Sequence, residues 1–205
     1  MRIFNLLLLL ALSAALLAAC GNTNQPVRKG ALQEYSPRAG TEAAAPAVQS
    51  PGQVTVSFDY QRQREIASDQ LAVWIEDTQG RHIRTLLVTR FTANGGYQKR
   101  AETVPHWQQA FQPAGAGRQA LDAVSSATPQ SGPVSVIWDC RNQAGEAVPA
   151  GPYVYKAEAN IKWAKTALWQ GTLPVGSGAA ESAATAVTGD GILLQAVRAS
   201  FAPAP

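Results

Sequence analysis

The chain has 205 residues, 46% of them hydrophobic and only 15% charged, and a net charge of +3 from 17 basic and 14 acidic side chains. Beyond residue 20 no apolar run is long enough to span a bilayer, which excludes a polytopic helical membrane protein, while five Trp, five Tyr and five Phe exclude disorder for most of the chain. The charges are interleaved and form no basic face, so nothing points to nucleic acid as a partner.

The first element is an address. Met1-Arg2 carries one positive charge, and residues 4–17 are almost wholly apolar, a signal-peptide core too short for a comfortable transmembrane span. Leu17-Ala18-Ala19-Cys20-Gly21 resembles the bacterial lipoprotein box. The resemblance implies cleavage before Cys20, a diacylglycerol on its sulfur and an acyl chain on its new amino group. Several chains together anchor stably where one binds only marginally. Gly21 and Asn22 contain no acidic retention signal, so the expected location is the periplasmic face of the outer membrane. Residues 1–19 are then a signal peptide, 20–52 a lipidated cysteine and flexible tether, and 53–205 a β-sandwich domain. The tether composition, Gly, Asn, Gln, Pro and Ser with one aromatic residue (Tyr35), buries too little apolar surface to order itself. With Cys20 lipidated, Cys140 has no partner, so the fold cannot depend on a disulfide, and burial is the expected fate of that thiol.

The domain reads mostly in period two. Val54, Val56, Phe58 and Tyr60 alternate with polar residues as a half-buried strand, and Leu71-Ala72-Val73-Trp74-Ile75 is a denser one. Asp77-Thr78-Gln79-Gly80 turns into residues 82–88 to close a hairpin, with Glu76 and Asp77 expected in solvent at the turn. Residues 98–121 resist the strand reading. Their Pro105-His106-Trp107-Gln108-Gln109-Ala110-Phe111 has helical spacing and predicts a short helix or an ordered loop across one end of the sandwich. Val134, Val136 and Trp138 make the next strand. Turns at 142–145 and 148–151 lead to Tyr153, Tyr155, Ala157 and Ala159. Residues 166–173 and 193–201 complete the set, and 176–191, without a large side chain, reads as a flexible excursion. The class is all-β, a sandwich of about seven strands with one long loop or short helix.

The run Trp138-Asp139-Cys140-Arg141-Asn142, Gly145, Val148-Pro149, Gly151 and Tyr153 resembles the turn signature of immunoglobulin-like modules of the flagellar hook-capping type. Trp138 and Tyr153 are its expected core anchors. Cys140 stands where that signature has Gly, which puts a positive backbone angle there in question, and Asn142 stands where it has Asp. Trp74 to Arg81 with Thr85-Leu86, then Trp107, then Asp122 to Pro129, then Leu168-Trp169-Gln170-Gly171, are similar in order and spacing to the predicted periplasmic domain-of-unknown-function 2271 family over residues 53–202.

One segment carries chemistry. Asp122-Ala123-Val124-Ser125-Ser126-Ala127-Thr128 resembles the site at which flavin transferases attach FMN. The resemblance implies Thr128 as the acceptor of FMN cut from Mg²⁺-bound FAD. Asp122 and Ser125 would be recognised by the transferase, and Ser126 and Ala127 would keep the approach open. Trp107 or Trp138 is expected to stack on the ring and Arg118 to favour its reduced anion. Flavin brings electron chemistry, and the protein supplies position and electrostatics. A structural Ser/Ala-rich loop is the competing reading. His82, His106 and Cys140 have no metal-ligand spacing and no nucleophile–base arrangement. No convergent set marks an independent enzyme. Two functions remain open: a lipid-anchored electron carrier served by a flavin transferase and an envelope redox protein, or a non-catalytic immunoglobulin-like binding or scaffolding module. Burial of residues 122–128 would favour the second.

Overall fold

The computed structural model describes residues 49–63, 68–113, 119–161, 165–189 and 191–205. The expected signal peptide, Cys20, nearly all of the tether and Arg118 lie outside the described residues.

β1 (Gly52–Tyr60) buries Val54, Val56, Phe58 and Tyr60 and leaves the alternate side chains toward solvent. It pairs antiparallel with β5 (Gly132–Trp138), Val54 facing Trp138, and on its other side with β10 (Leu194–Pro203), Val54 facing Phe201. The β1–β10 register slips between Ser57 and Asp59, and Ala196 takes a φ of 50° there. β8 (Ala180–Ala183) adds to β10 and completes a four-stranded sheet in the order β5-β1-β10-β8.

β2 (Gln70–Asp77) and β3 (His82–Thr89) form the expected hairpin. Its turn is closed by Gly80 N–H on the Asp77 carbonyl at 3.1 Å, with Gly80 at φ 79°. β2 pairs with β6 (Gly151–Ile161), β6 with β7 (Lys165–Val175), and β7 with β9 (Thr185–Thr188), all antiparallel. β4 (Ser125–Ser126) joins the outer edge of β3 in parallel. The result is a six-stranded sheet, β4-β3-β2-β6-β7-β9. The two sheets bury one core between them. Val56, Phe58, Trp138 and Phe201 come from one sheet, and Leu71, Val73, Ile75, Tyr155 and Leu173 from the other. Trp138 and Tyr153 meet edge to face, with ring centroids 5.2 Å apart.

The dense pattern of β2 has a structural cause. Seven of its eight residues are buried because the larger sheet is covered on both faces. Its outer face carries Ala72, Trp74, Val88 and Leu168, packed under Trp107, Val104 and Leu121 of the 90–124 segment. That segment contains α1 (Arg90–Ala93), a 3₁₀ turn (Gly96–Gln98), α2 (Pro105–Phe111) and α3 (Gln119–Asp122). The short helix at 105–111 is therefore present. It lies on a sheet face rather than across an end of the sandwich, because Trp74 and its neighbours make that face apolar. The β-sandwich is all-β as expected, with ten strands among the described residues where about seven were expected. The expected excursion at 176–191 holds β8 and β9, whose backbone pairing needs no large side chain. Cys140 keeps the left-handed angle, φ 54°, although it is not glycine. It is fully buried, and burial pushes its thiol up to about 12.

Candidate functional site

The acceptor-like segment joins the outer edge of the larger sheet at Ser125 and Ser126. β4 is an edge strand, held by Val88 facing Ser125 and Thr89 facing Ser126, with Val88 N–H on the Val124 carbonyl at 3.0 Å. None of residues 122–128 is buried; Asp122, Ala123 and Ala127 are exposed, and Val124, Ser125, Ser126 and Thr128 are half-buried. Asp122 ends α3 and Ser126 Oγ donates to the Ala127 carbonyl at 3.2 Å. Thr128 leaves the edge and its Oγ1 donates to the Asp69 carbonyl at 3.1 Å. Asp69 is itself buried and anchored, its carboxylate accepting from the Tyr60 hydroxyl at 2.5 Å and Gln63 N–H at 2.9 Å. Burial pushes the Tyr60 phenol well above its ordinary range. The expected aromatic partners of a flavin are elsewhere. Trp138 is in the inter-sheet core, its Nε1 donating to the Arg141 carbonyl at 2.7 Å. Trp107, on α2, is buried against the outer face of the sheet and stacked on Phe111 with centroids 5.2 Å apart. Neither face is free to take a ring, because each indole is already spent on packing.

A second site lies on the same outer face, beside α2. Glu158 reaches up from β6, fully buried, and its carboxylate accepts His106 Nδ1 at 2.6 Å and the N–H groups of His106 and Trp107 at 3.3 and 2.9 Å. It thus caps an α2 N-terminus whose own N-cap, Val104, offers no side-chain bond. Burial raises the Glu158 carboxyl above the ordinary value, opposed by the His106 and backbone hydrogen bonds. Trp107 Nε1 donates to Thr85 Oγ1 at 3.0 Å, and that hydroxyl lies 2.9 Å from His82 Nε2. Burial holds His82 down at about 4, so its imidazole is neutral. Glu76, expected in solvent, is buried: it accepts Trp74 Nε1 at 2.6 Å and pairs with Lys156 at 2.8 Å. The apolar roof over β2 explains why that carboxylate needs both partners. Glu76, His82, His106 and Lys156, with Arg81 and Gln109, line an open groove of about 530 Å³.

The sequence comparison decides the family at this point. The model of the family described as predicted periplasmic protein, domain of unknown function 2271, matches residues 51–193, more than half of the chain. The chain belongs to this family. No curated protein and no solved structure matches it.

A domain-of-unknown-function 2271 protein is periplasmic by that description, and the acceptor-like segment and the groove both fall inside the matched residues. Spacing along the chain missed the groove, since His82 and His106 are separated by 23 intervening residues that include α1 and the 3₁₀ turn. The signal that existed was the carboxylates Glu76 and Glu158 among apolar strand positions, one lining the groove and the other bonded to His106. Such residues are buried only when paired. Among the described residues no group of three or more His, Cys, Asp or Glu is arranged to hold a metal ion. Arg118 lies outside the described residues.

Proposed function

We propose that this periplasmic protein is a lipid-anchored electron carrier whose FMN is attached covalently to Thr128. The observation that supports it is that Ser125 and Ser126 form the outermost strand of the larger sheet among the described residues and that none of residues 122–128 is buried, with the small side chains of Ser126 and Ala127 next to the acceptor in the chain. Thr128 offers the hydroxyl that the ester needs, half-buried and donating to the Asp69 carbonyl. In the transfer, the Thr128 Oγ1–phosphorus bond forms as the pyrophosphate bond of FAD breaks. AMP leaves, and the hydroxyl proton passes to a base of the transferase. FMN supplies electron chemistry when bound. Asp122, exposed at the end of α3, and Ser125 serve recognition by the transferase. Esterification removes the Thr128 bond to the Asp69 carbonyl, a modest loss of about 1 kcal/mol. Lipidated Cys20 and the tether keep the carrier at the membrane, with an envelope redox protein as its partner.

The test is export of the full chain alongside a flavin transferase, read by in-gel flavin fluorescence and intact mass, with Thr128→Ala as control. A covalent adduct lost in the variant is the expected result. An unmodified wild-type mass beside a flavinylated positive control overturns it. The groove beside α2 supports a second reading, a binding module that engages an envelope protein through the 98–121 region.

A further inference from the structure

A cavity next to the acceptor segment is used by nothing described so far. β3 ends at Thr89, which faces Ser126 of β4, and the chain passes directly into α1, which packs against β4. Arg90, Phe91, Asn94, Gly95, Gly96 and Lys99 line a concavity of about 430 Å³ there. That is the size of a small-molecule cleft, about 300–1,000 Å³. Its lining carries two exposed cations and no acid.

Phe91 gives the cavity its character. It is 37% exposed although an apolar core of Ala72, Val88 and Trp107 lies under the same segment. The ring is held in place from two sides. A Cβ on Gly96 would sit 2.3 Å from it, so only glycine allows this approach. The Arg100 guanidinium lies 5.4 Å from the ring centroid. An aromatic side chain held at the surface in this way is a rigid wall for a planar ligand.

The cavity is also within reach of the acceptor. Thr128 is two residues beyond Ser126, at most about 7 Å of extended chain. Arg100 donates to the Ser68 carbonyl at 3.3 Å, and Thr128 donates to the carbonyl of the next residue, Asp69. The guanidinium over Phe91 and the acceptor hydroxyl are therefore bonded to adjacent residues of the chain.

We infer that this cavity receives the FMN carried by Thr128, with Phe91 as the apolar wall for the isoalloxazine ring and Arg90 and Lys99 opposite its anionic and carbonyl oxygens. The inference rests on the reading of Thr128 as the acceptor and replaces Trp107 and Trp138 as ring partners. It is tested on the full chain, flavinylated by a co-exported transferase. The readouts are intact mass, flavin anisotropy and quenching of flavin fluorescence by iodide. Phe91→Ala and Lys99→Glu are compared with wild type and with Val187→Ala, an exposed change on β9. In both cavity variants the mass is unchanged, anisotropy falls and iodide quenching rises, while Val187→Ala behaves as wild type. Free FMN titrated into the unmodified chain binds Lys99→Glu about five-fold more weakly than wild type, equivalent to about 1 kcal/mol. Full adduct with identical anisotropy and quenching in wild type, Phe91→Ala and Lys99→Glu overturns the cavity and leaves the acceptor standing. A wild type without adduct overturns both.

Discussion

The two faces of the larger sheet are buried by different means. Its inner face meets the other sheet through alternating side chains, Val73 and Ile75 on β2 against Val54, Val56 and Trp138, and hydrophobic contact suffices. Its outer face is covered by an irregular segment with short helices, and polar side chains pin that cover down. Glu158 caps α2, Thr85 receives the Trp107 indole, and Asn160 Nδ2 donates to the Glu102 carbonyl at 2.9 Å. Farther along the same face, Gln70 Oε1 accepts from Thr89 and Thr92 at 2.5 and 2.9 Å. A regular sheet satisfies its own backbone. A cover with few regular elements does not, so side chains from the strands beneath must do it. The functional candidates all belong to this second face or its edge.

The largest effect should come from Trp107→Ala. Trp107 is fully buried and anchors the cover through Thr85 and Phe111, so its loss costs about 3–5 kcal/mol. Thermal unfolding would show it as a lowered Tm, with the β-sheet circular dichroism of the inner sandwich kept at low temperature. A change under about 1 kcal/mol would mean that the cover is not a core layer.

A pH effect of intermediate size separates the faces further. His82 has a folded-state value of about 4 against an ordinary 6.5, because burial disfavours the charged ring. Above 6.5 neither state takes the proton. As the pH falls from 6.5 towards 4 the unfolded chain binds it first, so stability is lost across this window and levels off below it. After discounting for partial solvent access the loss is about 2 kcal/mol. Denaturant unfolding at several pH values should show the slope in wild type and a flatter profile in His82→Gln. Equal slopes would remove His82 from the account.

Thr128→Ala should have the smallest effect. One half-buried hydroxyl bond is lost, about 1 kcal/mol or less, and the fold is otherwise kept. Chemical denaturation checks this, and a larger loss would show Thr128 to be structural.

Inner-core elements were legible in the sequence because alternation at Val54, Val56, Phe58 and Tyr60 records burial on one side directly. β8 and β9 were not, since Ala, Ser and Thr give the same pattern in an edge strand as in a loop. The groove was hidden because its members converge from β2, β3, α2 and β6, and no local spacing encodes that. The acceptor-like segment was visible as a motif, while its place at the outer edge of the larger sheet depended on pairing with β3.

The central claim is the chemistry of one hydroxyl. Peptide mass mapping of the protein isolated from cell envelopes that contain a flavin transferase tests it most directly. The account predicts a peptide spanning residues 122–128 that carries FMN on Thr128 and loses it in Thr128→Ala. The same peptide found only unmodified, in envelopes where another transferase substrate is flavinylated, would contradict it.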